Sequence, residues 1–290
     1  MLPARFDYHR PESLDEALSL LDQHGEDGKV LAGGMSLIPL MKLRFASPGH
    51  VIDVNRIADL QGLFEDRGGG LVIKAVTRHR EIAESDLVKQ RWPALATAAP
   101  LVADPIVRNL GTIGGSLSHA DPAGDFGSVL LALRARMVIR SSSGEREVPV
   151  DDFLVDTFTT ALEPNELLME IRIPAPSARS GGTYLKLERK VGDFATVGVA
   201  AHVELDDGHI GSAGIGLTAV GPKNLRATEA ENALTGAEPT EEAFAEAGRL
   251  AAQVAQPHSD VRGSADYKRH VVDVFVRRGL AQATQMARGA

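Results

Sequence analysis

The sequence predicts an α+β protein in two parts, a two-lobed N-terminal region and a C-terminal domain built from an antiparallel sheet and helices. Three observations lead to this fold class. Residues 1–55 alternate between strand-like and helical segments, and residues 56–177 repeat that alternation with variation. Residues 178–290 place strands first and helices after them, which is typical of α+β domains. The small, polar stretch 175–182 is the expected linker.

The first lobe is expected to follow a β-α-β pattern. Ser13 and Glu16 have the spacing of a capping box at the start of a helix, and Gly25 can end that helix. "KVLAGG" then predicts a short strand that runs into a glycine turn. "SLIPLMKLRF" predicts a helix with Ser36 as its N-cap and Pro39 in its first turn. "HVIDVNRI" completes the lobe as a strand.

The remaining elements follow from the same kinds of pattern. Strands are predicted in "GGGLVIKAVT", "ARMVIRSS" and "NELLMEIRIP", and helices in "WPALATAAPLV" and "AGDFGSVLLALRA". In the C-terminal domain, "DDG" at 206–208 predicts a hairpin between two strands. Thr240, followed by two glutamates, is typical of a helix start, and residues 264–286 are predicted to form the last helix.

Composition and charge exclude several classes of function. The chain has 290 residues, a net charge of −8 and dispersed basic residues, so nucleic acid is a poor candidate ligand. No apolar run approaches the ~18 residues of a membrane span, and the N-terminus lacks the features of a signal peptide, so we expect a cytoplasmic protein. The chain contains no cysteine, which excludes thiolate ligation of zinc or iron–sulfur clusters.

Two glycine loops are the clearest candidates for a binding site. The first glycine loop, residues 31–38, contains Gly33 and Gly34, and the second glycine loop, residues 111–116, contains Gly114 and Gly115. Glycines before a helix start allow backbone N–H groups to surround an anion, usually a phosphate. Neither loop matches a common nucleotide fingerprint, and such glycines often serve packing alone. Together, and with hydroxyls at Ser36, Thr112 and Ser116, the two loops could hold a ligand with two phosphates.

Polar residues continue beyond the second glycine loop. Asp121 is expected to cap a helix that begins at Pro122, which would put Asp125 in its first turn, able to accept hydrogen bonds from ribose hydroxyls. His119 is either a loop histidine or a neighbour of the cofactor. A Ser-His-Asp triad has no support from residues crowded into one loop, and nothing fixes a metal coordination shell. We therefore assign no catalytic residue and no metal ligand from the sequence.

Four motifs together resemble a known family. They are "AGGMSLIPLMK", "GTIGGSLSHADPAGD", "EPNELLMEIRIP" and "YLKLERKVGDFATVGVAA", and "FDYHRPES" and "SDVRGSADYKRH" fit as well. In order and spacing they resemble the FAD-binding medium subunits of molybdenum hydroxylases, the xanthine dehydrogenase family. The likeness is greatest to the medium subunits of aerobic, molybdenum-containing carbon monoxide dehydrogenases, and it covers essentially the whole chain. It implies an FAD-binding domain of the vanillyl-alcohol-oxidase/PCMH type at 1–177, with lobes 1–55 and 56–177, and a CO dehydrogenase flavoprotein-like domain at 178–290.

The resemblance also implies which residues bind FAD. The two glycine loops would grip the pyrophosphate, and Asp125 would lie near the ribose. Leu101 or Val102 would line the cofactor before the second loop, and Leu168 would contact its isoalloxazine or adenine side. Lys186 would lie near the flavin, Asp193 and Phe194 against its ring, and His119 beside it. The loop residues implied are Leu31, Ala32, Gly33, Gly34, Met35, Ser36, Leu37, Ile38, Gly111, Thr112, Ile113, Gly114, Gly115 and Ser116.

Two positions depart from the family pattern, and two others have simpler interpretations. Many relatives have histidine where Met35 stands and asparagine where Ser116 stands. Met35 can pack but cannot donate a hydrogen bond, whereas Ser116 keeps a donor on a shorter side chain. Lys186 alone would be an ordinary strand lysine, and Phe194 alone would be an ordinary core residue. With a flavin nearby, a cation favours the reduced ring and an aromatic side chain can cover one ring face.

An electron-transfer role is what the resemblance implies for the chain. In this family a molybdenum subunit oxidises the substrate, [2Fe–2S] clusters on a small subunit carry the electrons, and FAD passes them to an external acceptor such as a quinone. The implied partners are therefore a molybdenum-cofactor large subunit and a [2Fe–2S] small subunit, in a dimer of heterotrimers that could bring the chain to the inner face of the membrane. The alternatives are a related hydroxylase for N-heterocycles, purines or aldehydes, a self-contained FAD oxidoreductase, and an interaction module without cofactor.

Overall fold

The structure, a computed structural model, describes residues 2–289, and its first lobe is a small parallel sheet flanked by helices. Its elements are β1 (Asp7–His9), α1 (Leu14–His24), β2 (Gly28–Leu31), α2 (Leu37–Leu43) and β3 (His50–Asp53). The strand order is β1-β3-β2, and both pairings are parallel. Ser13 caps α1 by accepting a hydrogen bond from the Glu16 N–H at 3.2 Å, as predicted. Ser36 precedes α2, but its side chain makes no capping hydrogen bond.

The second lobe surrounds a five-stranded antiparallel sheet. Its elements are β4 (Leu63–Glu65), β5 (Leu71–Lys74), α3 (His79–Glu84), α4 (Asp86–Arg91), α5 (Pro93–Ala98), α6 (Pro105–Leu110), α7 (Ile113–His119), α8 (Asp125–Ala132), β6 (Arg136–Ser141), β7 (Gly144–Pro149), α9 (Val150–Phe153), β8 (Leu154–Asp156), β9 (Thr159–Thr160) and β10 (Leu167–Ile173). The main sheet has the order β4-β5-β10-β6-β7, and β8 pairs with β9. Helix α8 begins at Asp125 and not at Pro122, because Asp121 closes a local turn by accepting from the Ala123 N–H at 2.9 Å.

The C-terminal part has the predicted antiparallel sheet followed by helices. Its elements are β11 (Ser180–Leu187), β12 (Val197–Asp206), β13 (His209–Thr218), β14 (Leu225–Arg226), α10 (Thr228–Leu234), α11 (Glu241–Val254) and α12 (Ala265–Gly289). The predicted hairpin joins β12 to β13 through Asp207 and Gly208, with φ of 45° and 86°, as a type I′ turn requires. Because β11 begins at Ser180, the end of the predicted linker is strand and not loop.

Close packing fixes the second lobe against the C-terminal sheet. Gly214 and Gly216 lie on β13 where the backbone of α8 crosses it, and a Cβ at either position would overlap a carbonyl oxygen of α8. Helix α8 itself is buried along its whole length. The N-terminal end of α8, which carries Asp125, is therefore held at a fixed distance from the C-terminal strands. No helix among residues 2–289 is long and apolar enough to cross a membrane.

Candidate functional site

A cleft of about 700 Å³ lies between the two N-terminal lobes and the 186–194 segment of the C-terminal domain. Most of the residues that the sequence singled out line it. Of those residues, the cleft wall includes Ala32, Gly33, Gly34, Met35, Ser36, Leu37, Val102, Gly111, Thr112, Gly114, Gly115, Ser116, His119, Asp125, Leu168, Lys186, Asp193 and Phe194. Leu31, Ile38, Leu101 and Ile113 are neighbours of these residues but do not line the cleft.

The first glycine loop leaves its backbone donors free. Across residues 33–37, no N–H group donates to an acceptor within the part of the chain that the structure describes. All five of these residues line the cleft. Gly34 has φ of 73°, a conformation that favours glycine and lets successive N–H groups turn toward one side. This loop therefore has the donors that an anion site needs.

The second glycine loop differs, because most of its backbone donors are already satisfied within the protein. The Ile113 N–H donates to the Thr77 carbonyl at 3.1 Å and the Gly114 N–H to the Ala75 carbonyl at 2.9 Å. The Gly115 N–H donates to Thr112 Oγ1 at 3.1 Å, which makes Thr112 the N-cap of α7. The two loops therefore differ in their free donors. In the second loop, Thr112, whose N–H has no acceptor among the described residues, and Ser116, with its hydroxyl, line the cleft.

Glycines at two of the loop positions accommodate the protein's own backbone and not a ligand. A Cβ at Gly33 would overlap the Leu110 carbonyl oxygen, and it would lie 2.7 Å from the Gly111 Cα. A Cβ at Gly114 would lie 2.6 Å from the Ala75 carbonyl oxygen. The two glycine loops therefore touch at Gly33, and the packing explanation for these glycines is correct here.

A chain of side-chain hydrogen bonds also ties the two loops together. Asn55 Nδ2 donates to the Ala32 carbonyl at 2.6 Å, and Asn55 Oδ1 accepts from Arg78 Nη2 at 2.7 Å. The other terminal nitrogen of Arg78, Nη1, donates to the Leu110 carbonyl. Asn55 follows β3 in the first lobe and Arg78 precedes α3 in the second, so this bridge joins both lobes at the cleft.

Asp125 and Lys186 form a buried ion pair in the cleft wall. Lys186 Nζ lies 3.0 Å from Asp125 Oδ2, and the two side chains are only 2% and 6% exposed. Lys186 also donates to the Leu101 carbonyl at 2.9 Å, and Tyr184 donates to Asp125 Oδ1 at 2.7 Å. Burial raises the pKa of Asp125, and the Lys186 ammonium opposes that rise. Lys186 is therefore not an unpaired cation, because its charge is neutralised by a carboxylate beside it.

The segment 192–194 closes one side of the cleft. Gly192 has φ of 83° and packs against the Ala103 carbonyl, which holds the segment near the second lobe. Asp193 Oδ1 accepts from Arg262 Nη2 at 3.0 Å. Burial would raise the pKa of Asp193, but the Phe194 N–H and the charges of Arg262 and Arg189 together hold that pKa below its usual range. Phe194 is 53% exposed, so its ring is available to cover a ligand and does not belong to the core.

His119 joins neither a triad nor a metal shell. Its ring centroid lies 4.9 Å from that of Phe158, and burial lowers its pKa. Within residues 2–289, no hydrogen bond links it to Asp121 or Asp125. The structure therefore leaves His119 as a half-buried residue of the cleft wall.

Sequence reasoning missed several residues of the cleft. His79 is 4% exposed and lines the cleft, and burial followed by the charges of Arg78 and Arg108 lowers its pKa to about 4. Its Nδ1 is buried without a hydrogen-bond partner in the described chain. Lys29, Glu163 and Glu166 also line the cleft. No local pattern marks these residues, because each reaches the cleft through the packing of distant elements.

The chain is similar to known proteins over nearly its whole length. A family model described as the FAD binding domain in molybdopterin dehydrogenase matches residues 4–176. A second, described as the CO dehydrogenase flavoprotein C-terminal domain, matches residues 182–283. The carbon monoxide dehydrogenase medium chain of Hydrogenophaga pseudoflava is 44% identical over 98% of both chains. That of Afipia carboxidovorans is 40% identical over 99% of this chain and 100% of the relative.

The fold agrees with these sequence matches. A solved structure of carbon monoxide dehydrogenase from Hydrogenophaga pseudoflava, which lacks the Mo-pyranopterin moiety of the molybdenum cofactor, contains a chain that superposes with a TM-score of 0.95. The two chains are 46% identical, and the match covers 99% of each. The match therefore spans both lobes and the C-terminal sheet.

Proposed function

This chain belongs to the family of FAD-binding flavoproteins of molybdopterin dehydrogenases, and from that premise we propose that it is the flavin subunit of an aerobic, molybdenum-containing carbon monoxide dehydrogenase. Membership confirms the resemblance of the four motifs, and it makes the chain a subunit of an FAD-dependent oxidoreductase. The assignment to carbon monoxide is supported by the names of the two relatives described above.

The residues present in the cleft suit FAD. A diphosphate needs several hydrogen-bond donors, and the free N–H groups of residues 33–37 are the observation that carries the proposal. Ser36 and Ser116, each with a hydroxyl, also line the cleft. A volume of about 700 Å³ lies within the usual range for ligand sites.

Each part of the cleft has a separate task in this proposal. The first glycine loop binds the diphosphate, and Ser116 adds a hydroxyl from the second loop. The carboxylate of Asp125, paired with Lys186 in a part of the cleft wall that excludes water, accepts a hydrogen bond from a ribose hydroxyl. Phe194 covers one face of the ring and excludes water. When bound, FAD supplies electron exchange between single-electron carriers and a two-electron or quinone-type acceptor.

The partners follow from the same assignment. The sequence has no cysteine, so thiolate-bound [2Fe–2S] clusters must be supplied by a second polypeptide. We place this chain between an iron–sulfur small subunit and a molybdenum-cofactor large subunit, in a cytoplasmic dimer of heterotrimers with a quinone or similar acceptor.

The proposal is tested by identifying the cofactor and then its reductant. Acid extraction of the untagged complex should release FAD, and anaerobic carbon monoxide should bleach the flavin absorbance of the complex but not of the isolated chain. Release of FMN or of no flavin would contradict the cofactor assignment. If a purine, an aldehyde or an N-heterocycle bleaches the flavin of the complex and carbon monoxide does not, the chain belongs to a related hydroxylase. If any substrate bleaches the flavin of the isolated chain, the protein is a self-contained oxidoreductase.

Two helix N-caps, one in the cleft and one outside it, allow loss of stability to be distinguished from loss of FAD binding. Thr112→Val removes the hydroxyl that caps α7 and should lower the free energy of unfolding by about 1 kcal/mol in urea. Thr240→Val removes the matched cap of α11, which accepts from the Ala243 N–H at 3.3 Å and lies outside the cleft. We expect both variants to lose similar stability, and only Thr112→Val to retain less FAD after gel filtration. Equal retention in the two variants would mean that the second loop does not contribute to binding.

A further inference from the structure

Three histidines converge on one face of the first lobe, outside the FAD cleft. His9 ends β1, His24 ends α1 and His50 begins β3, so three different elements each contribute one ring. One nitrogen of each ring lies within 4.8 Å of the corresponding nitrogens of the other two, and all three residues are half-buried. None of them lines the cleft. The sequence pattern assigned no metal ligand here, because the three residues lie far apart along the chain.

The side chains are held together more closely than packing alone requires. His9 Nε2 lies 2.9 Å from His50 Nδ1, within hydrogen-bond distance. The His24 and His50 rings are stacked, with centroids 3.6 Å apart, and the His9 ring lies 5.1 Å from that of His24. His24 Nε2 is buried without a hydrogen-bond partner among the described residues. A buried imidazole nitrogen without a partner is unfavourable, and a metal ion would satisfy it.

We propose that His9, His24 and His50 form a binding site for a divalent transition-metal ion of the Zn²⁺ class. Imidazole nitrogens suit such ions, and three protein ligands with an exposed fourth position for water are a common arrangement. In tetrahedral coordination the nitrogens are about 3.3 Å apart, given a bond length of roughly 2.0–2.1 Å. His9 Nε2 and His50 Nδ1, 2.9 Å apart, are already near that spacing. Coordination would exchange their hydrogen bond for two bonds to the ion and would require the His24 ring to tilt out of its stack.

The electrostatic surroundings favour a cation at this position. His24 is the last residue of α1, where the carbonyl end of the helix carries partial negative charge. Asp27 and Asp7 lie close enough to act on the charge of His24. Metal binding would link β1, α1 and β3 of the first lobe.

The test uses the full chain without a polyhistidine tag, after dialysis against a chelator. Titration calorimetry with zinc chloride should show one saturable site per chain, and the midpoint of thermal unfolding should rise on zinc addition. Because changes to outer-shell groups alone cost roughly 10- to 100-fold in metal affinity, His24→Gln or His50→Gln should weaken binding by at least about tenfold. His209→Gln is the matched control, since His209 is exposed on the β12–β13 hairpin outside the cluster.

The outcomes separate a metal site from a simple histidine stack. Co²⁺ should give the visible absorption of a four-coordinate, nitrogen-rich site in the flavin-free chain, and His9→Gln should abolish it. If His24→Gln does not fold, the His9 and His50 variants provide the same comparison. The proposal is overturned if the unaltered chain shows no saturable zinc binding, or if all three cluster variants bind zinc as tightly as the His209 control.

Discussion

Replacing Lys186 with methionine is expected to lower the free energy of unfolding by about 3–5 kcal/mol, the usual cost of removing one partner from a buried ion pair. The change leaves Asp125 with the Tyr184 hydroxyl as its remaining side-chain donor, in a wall where it is 6% exposed. The carboxyl then gains a proton more readily, because burial already raises its pKa and the opposing ammonium is gone. Urea unfolding followed by circular dichroism measures the loss.

Two further variants show whether the loss of stability comes from the Asp125–Lys186 ion pair or from the loss of any lysine. Lys190→Met removes an exposed lysine four residues away and should leave the unfolding free energy within about 0.5 kcal/mol of the original. The double variant Asp125→Asn with Lys186→Met should recover part of the stability, since an amide needs no counter-charge. A double variant that is less stable than Lys186→Met alone would show that the buried charges are not coupled in this way.

Gly33→Ala is expected to separate the two glycine loops and to release FAD. The new Cβ would overlap the Leu110 carbonyl oxygen. Its three nearest neighbours are all backbone atoms, which cannot move aside as the end of a flexible side chain can. Overpacking of this kind costs about 1–3 kcal/mol or more. The shift falls on the loop whose residues have free N–H groups and line the cleft. Flavin content per chain after gel filtration, measured by absorbance, should fall well below that of the unaltered protein.

Gly68→Ala is the control for this substitution. Gly68 lies in an exposed turn, where the nearest atom to an added Cβ is Asp66 Oδ1 at 3.3 Å. That variant should keep its full flavin content. If Gly33→Ala also keeps full flavin content, then contact between the two loops is not required to shape the binding site.

The sequence predicts the parts of the cleft that depend on local pattern. A glycine pair before a helix start is a local signal, and both loops do line the cleft. The antiparallel C-terminal sheet and its hairpin at Asp207 and Gly208 also follow from local turn chemistry, and both are confirmed. What local pattern left open was whether a glycine makes room for a ligand or for the chain itself, and Gly33 and Gly114 turn out to do the latter.

The remaining features depend on contacts between distant segments, which no local pattern reveals. The pairing of Lys186 with Asp125 arises because α8 packs on the C-terminal sheet. The lysine that the resemblance implies near the flavin therefore has a carboxylate beside it. The satisfied N–H groups of the second loop depend on Ala75 and Thr77, which follow β5. The start of α8 was placed too early because Asp121 closes its own turn and does not cap a helix.

The hydrogen bonds from Asn55 and Arg78 link the two loops through protein groups alone. A site whose walls are already in place before binding avoids the ordering cost that a flexible site must meet. The empty subunit should therefore take up its cofactor as a preorganised receptor, in a single bimolecular step with no slow closure afterwards.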